Sequence, residues 1–192
     1  MNTNTQTHRA VEQDKPRFLK LISNSASATI GVTLLAVGLL IAVHRVNAAG
    51  TVSATDRDFM LSAAQGGMTE VQMGNLAYEK GMSVGIKEFG QRMVKDHTSI
   101  NADLKALAAQ KNVTLPDGLD EKHLALVSNM STLSSTNFDN AYTACMIKDH
   151  KMVLKAFKAE SAGTTDMDVK NFVDQTIPIV EDHLKSITAL QK

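Results

Sequence analysis

From Thr55 to Leu190 apolar side chains recur every three to four residues in four long stretches. That is the period of helices that each bury one face. The pattern predicts segment A over about 55–80, B over 83–111, C over 136–161 and D over 165–190. A shorter helix is expected over 120–133. At 100° per residue the inward stripe of A is Phe59, Ala63, Gly66, Met73, Gly74 and Ala77. That of B runs from Ile86 and Phe89 through Met93 to Leu104 and Leu107. That of C takes Phe138, Tyr142, Cys145, Met146, Val153 and Phe157. That of D takes Val169, Val173, Ile177, Val180, Leu184 and Ile187.

Local signals mark the ends. Thr55, Thr136 and Thr165 each precede a carboxylate by three residues (Asp58, Asp139, Asp168), which predicts threonine caps. Gly81 and Gly163 are expected to close A and C in the left-handed conformation. Pro178 should kink D, because it has no N–H to give the preceding turn. A–B and C–D are joined by short turns and should be antiparallel hairpins. The B–C connection, about 112–135, is broken by Leu115-Pro-Asp-Gly118. It is long enough to return the chain along the bundle, so B and C can run parallel. The fold class expected is all-α: a ferritin-like four-helix bundle whose long crossover carries a short extra helix.

Composition agrees. Aromatic residues are 4% of the 192-residue chain, with no Trp, three Pro and one Cys, a balance that favours helices. Cys145 has no internal partner, so the fold rests on its core.

Charge is zero overall but unevenly placed. Residues 1–48 hold Arg9, Lys15, Arg17, Lys20 and Arg45 against Glu12 and Asp14; the remainder is net acidic. An acidic body argues against nucleic acid as a partner. The basic stretch ends at Lys20, an uncharged apolar run spans 28–43, and Val46-Asn-Ala48 follows. This is the order of a secretory signal, with cleavage expected after Ala48. The alternative is retention of 28–43 as an inner-membrane anchor, although 16 residues fall short of the ~20 of a spanning helix. The expected organisation is an export segment over 1–48, a linker over 49–54 and the helical domain over 55–192. The domain then stands in the periplasm or outer envelope, where envelope or membrane association is open to it. The sequence sets no oligomeric state.

Each stripe carries a polar interruption. Glu70 is central in A and His97 in B. Asp149 is central in C with His150 on its flank, and His183 lies within D. Imidazole and carboxylate from four helices suit a transition metal such as zinc, copper, iron or manganese, with Glu70, His97, His150 and His183 as ligands and Asp149 as a further candidate. The competing reading is a buried network in which Glu70 accepts hydrogen bonds from the histidines. Counted from the turns, Glu70 and His97 differ in height by ~6 Å, and His150 and His183 by ~9 Å. No catalytic residue, phosphate-binding loop or serine nucleophile motif stands out, and no cofactor beyond a metal is implied.

Asp58-Phe59 with Glu70-Val71, Met93-Val-Lys-Asp-His97-Thr98, Phe138-Asp-Asn-Ala-Tyr142 with His150, and Pro178 followed by His183 resemble a family of exported bacterial proteins, the domain of unknown function 4142. The resemblance covers about 55–190 and implies a ferritin-like fold and export, but no activity. Di-iron proteins of that fold use Glu-x-x-His pairs. Here Val94, Ile147 and Val180 stand three residues before the histidines, which argues against ferroxidase or iron-storage chemistry. Two functions stay open: a non-catalytic binding or envelope-stress accessory module, and a metal-binding or metal-dependent redox protein using the Glu/His cluster.

Overall fold

Serine and aspartate start the helices. In the computed structural model, which describes residues 52–191, α1 spans Ala54–Lys80, α2 Val84–Gln110, α3 Glu121–Ser131, α4 Ser135–Gly163 and α5 Met167–Ala189. The export segment and its cleavage site lie outside the described residues. Ser53, Ser83, Asp120 and Asp166 each accept a hydrogen bond from a first-turn N–H. The expected threonine caps are displaced. Thr55 and Thr136 lie inside helices, and Thr165 precedes the cap. Asp139 caps another helix instead: its carboxylate accepts from Met82 N at 2.8 Å and Ser83 N at 3.0 Å, at the start of α2.

The glycine expectation also fails. Gly81 closes α1 at φ −54°, and Gly163 is the last residue of α4. The left-handed residue after a helix is Asn112, at φ 56° beyond α2, a position asparagine tolerates. α5 runs unbroken through Pro178.

The Asp139 contact fixes the topology, since it puts the start of α4 at the α1–α2 turn. At the other end Lys111, just past α2, binds Asp166 at 2.7 Å and Asp168 at 2.6 Å, at the start of α5. Thus α2 and α4 run parallel and α1 and α5 antiparallel to them. The connection climbs alongside α1. The Gln65 amide bridges Gly118 O and Asp120 N, both at 2.9 Å, near its foot, and Lys80 donates to Leu133 O near its head. α1 and α2 approach closely where Gly74 meets Gly90: a Cβ on Gly90 would lie 2.6 Å from Gly74 O. Among the described residues no helix is long and apolar enough to cross a membrane.

The core is divided. Met73, Ala77, Phe89, Met93, Phe138, Tyr142, Met146 and Ile187 fill the end near the α1–α2 turn. Met60, Ala64, Ile100, Leu104, Phe157, Val169 and Val173 fill the other. Between these two sets each long helix carries a buried polar side chain: Glu70, His97, His150 and His183.

Candidate metal centre

Glu70, His97, His150 and His183 are all buried, at 4, 6, 1 and 0% exposure. Asp149 is half-buried, so the roles expected within segment C are reversed: the histidine points inward and the aspartate stands on the flank. The three imidazoles converge. Ring centroids are 6.2 Å apart for His97–His150, 5.3 Å for His97–His183 and 5.6 Å for His150–His183. One ligating atom from each lies within 4.8 Å of the other two, and Glu70, Asp149 and His150 form a second group by the same measure. His150 belongs to both.

The height mismatch shrinks because α4 ends, and α5 begins, two residues later than the pattern implied. His150 stands thirteen residues before the end of α4 and His183 sixteen after the start of α5, an offset of ~4.5 Å.

Hydrogen bonds fix two of the tautomers. Nδ1 of His150 lies 2.9 Å from Met146 O, and a carbonyl only accepts, so this nitrogen carries the proton. Nε2 of His183 donates to Asp96 at 2.9 Å. The nitrogens left over, Nε2 of His150 and Nδ1 of His183, are buried and have no protein partner, and neither nitrogen of His97 has one. Each of these imidazoles therefore offers a free lone pair inside the bundle. A carboxylate or carbonyl on the far nitrogen is the support that metal-ligating histidines usually have. Asp96 is held in turn by Arg92 at 3.2 Å, and Arg92 by Asp182 at 2.7 Å.

Electrostatics keep the rings neutral. Burial, then the neighbouring His183 and His150, pushes His97 down to about 3. Burial and His183 push His150 down to about 4. Burial also lowers His183, against the upward pull of Asp96. A neutral imidazole is the ligating form. Glu70 moves the other way: burial, then the facing carboxyl of Asp149, raises it well above the ordinary range, which favours its protonated form. The expected bonds from histidine to Glu70 are absent. His150 Nδ1 lies 4.0 Å from Glu70 Oε1 and donates to the backbone instead, and Glu70 Oε2 is buried without a partner. Burial raises the Cys145 thiol to about 11, so it is inert at neutral pH.

A cavity of about 220 Å³ adjoins this layer, with Glu70, Asp149, His97 and His150 at one end and apolar side chains elsewhere. It accounts for a shift in segment A. Phe59, Ala63 and Gly66, expected in the core, line the cavity, and Met60, Ala64 and Gly67 are buried in their place.

Sequence reasoning missed two groups. Asp96 was legible only as the i,i+4 partner of Arg92. The other group is a second buried carboxyl pair, Asp56 and Glu160, at 3 and 7% exposure at the foot of α1 and α4. Burial and Asp56 raise Glu160 to about 7. Asp56, despite burial, is lowered by hydrogen bonds from Glu160, Thr164 and Ser53. Glu160 falls on the apolar stripe of segment C, seven residues after Val153 and three after Phe157, and that polar interruption was the signal that could have found it.

Two solved structures are similar in fold. The crystal structure of a DUF305 fragment from Deinococcus radiodurans matches with a TM-score of 0.65 at 10% identity, covering 73% of this chain and 97% of that one. CopM in the Cu(I)-bound form matches with a TM-score of 0.60 at 16% identity, covering 71% and 95%. No curated protein matches the chain. The family model for the domain of unknown function DUF4142 matches residues 42–190, and the chain belongs to that family.

Proposed function

We propose that this is an exported, ferritin-like, non-catalytic metal-binding protein. His97, His150 and His183 would hold one soft or borderline ion, Cu(I) before Zn(II). The observation that carries the reading is the set of buried imidazole nitrogens, one or more on each of three helices, with no protein partner. An orphaned buried polar atom is destabilising by roughly 1–3 kcal/mol, and three such rings facing one another need a common partner. Water could serve one of them, but a cation serves all three lone pairs at once.

The donor set chooses among metals. It is all imidazole, uncharged, and stands between two apolar halves of a core. A monovalent ion that accepts three ligands is cheaper to bury there than a divalent one. The hard-metal alternative needs several ligating carboxylates, and here Glu70 and Asp149 group with His150 while Asp96 is tied to His183 and Arg92. The likeness to a protein solved in a Cu(I)-bound form points the same way. Export is supported by the basic and apolar segments and Val46-Asn-Ala48. Mass spectrometry of envelope protein should find a chain that begins at Ala49; an intact N-terminus in the membrane fraction would replace the signal by an anchor.

The test of the metal site is a melting curve with and without Cu(I) or Zn(II), for wild type and His97→Leu. Binding to the folded state alone adds about 2.7 kcal/mol when free metal is about a hundredfold above Kd. The wild type should gain stability and His97→Leu should not. A gain from zinc alone would change the ion, and no gain from either metal would leave a structural polar layer.

A further inference from the structure

Gly66 has no packing reason to be glycine. A Cβ there would meet nothing within 4 Å, whereas Gly74 is pressed against Gly90 and Gly67 against Asn101. Glycine inside a helix weakens it relative to alanine. What Gly66 does is leave space: it lines the cavity, as do the exposed Ser62 on α1 and Met152 on α4. The wall is apolar, formed by Phe59, Leu104, Val153, Phe157 and Phe172. One part of the lining is polar, for the Glu70 carboxyl faces Asp149 there and Glu70 Oε2, on a residue 4% exposed, has no partner.

We infer that this cavity is a binding site for a compact apolar molecule with a primary amine head. The size fits, since a cavity of about 150 Å³ takes benzene and this one holds about 220 Å³. The polar end is selective. The two carboxyls present acceptors, so an ammonium with its three N–H donors matches them and a carboxylate or phosphate head does not. Apolar walls supply affinity and a few convergent polar groups fix orientation, as in small-ligand sites generally. The site borders the three-histidine centre but does not need a metal, so either reading can fail alone.

The experiment titrates benzylamine and toluene calorimetrically into chelator-treated full-length protein, as wild type, Gly66→Leu and Asp149→Asn. The wild type should bind benzylamine at least about tenfold more tightly than toluene, which corresponds to about 1.4 kcal/mol. Gly66→Leu fills the cavity from an open position and should weaken both ligands at least about tenfold. It should keep or raise the melting temperature and retain any metal-induced shift. Asp149→Asn should erase the preference for the amine. No benzylamine binding to the wild type, or undiminished binding to folded Gly66→Leu, would overturn the site. Equal affinity for toluene and benzylamine would overturn the amine assignment.

Discussion

The bundle holds two carboxyl pairs between α1 and α4, and they differ in what surrounds them. At the foot, Asp56 and Glu160 have each other, the Ser53 and Thr164 hydroxyls and a helix N-terminus. In the middle, Glu70 and Asp149 are backed by three imidazoles whose free nitrogens have no protein partner, and by a cavity. The first arrangement leaves one isolated buried atom without a partner, Glu160 Oε1, and reads as an end-cap of the fold. The second leaves atoms that ask for something from outside. Burial of polar groups is common to both; unanswered, convergent lone pairs are what mark one of them as a site.

The pair of regions should also oppose each other in pH. Glu160 titrates near 4.5 in an unfolded chain and near 7 in the folded one. Between those values the folded state holds the extra proton, so its stabilising contribution is full below 4.5 and is lost as pH rises through 7. The histidines of the middle layer have the opposite sign, whereas Glu70, raised like Glu160, shares the sign of the foot. His97 and His150 fall from about 6.5 to about 3 and about 4. Below pH 6.5 the unfolded chain takes up protons that the folded one refuses, so stability is lost as pH falls toward those values.

The largest effect expected is on the apolar layer that keeps the two regions apart. Leu104, 1% exposed on α2, should cost about 2–5 kcal/mol on truncation to alanine, read by denaturant melting. A much smaller loss would mean that the cavity beside it collapses and the two polar regions are not separated by a rigid core. Next comes the foot. Glu160→Gln should flatten the stability loss between pH 5 and pH 8, a slope worth roughly 1–3 kcal/mol in the wild type. If the slope survives the substitution, the comparison of the two pairs is misdrawn.

The middle layer should respond in the other sense. His97→Leu replaces a buried ring that has no partner by an apolar side chain. Without metal it should change stability by less than about 1 kcal/mol, and toward greater stability. It should also flatten the acid limb of the melting profile between pH 6.5 and pH 4. A loss of several kcal/mol in metal-free protein would show His97 to be part of a satisfied network. The smallest effect is the control: Lys105→Ala, exposed one residue beyond Leu104, should stay within about 0.5 kcal/mol.

Much of this was legible in the chain. Four amphipathic periods gave the four long helices, the two short turns gave two hairpins, and the long 112–135 connection allowed the parallel α2–α4 pair. Those properties are local: a 3.6-residue period and the length of a connection do not depend on which partner a helix meets. The inward placement of Glu70, His97 and His183 was legible for the same reason. The threonine caps were misplaced because a cap depends on where the chain enters the helix, and Ser53, Ser134 and Asp166 stand within two residues of Thr55, Thr136 and Thr165 and take the cap position instead.

What the sequence could not decide is how the stripes are clocked against each other. α1 packs chiefly on α2 and only lightly on α4. The foot of α1 therefore turns Met60 and Ala64 to the core and leaves Phe59, Ala63 and Gly66 facing a gap. The same clocking turns His150 inward over Asp149, makes Asp96 rather than Glu70 the partner of a histidine, and joins Asp56 to Glu160. Each of these is a contact between residues far apart in the chain, set by the distance and rotation between packed helices, and no periodicity within one helix carries that information.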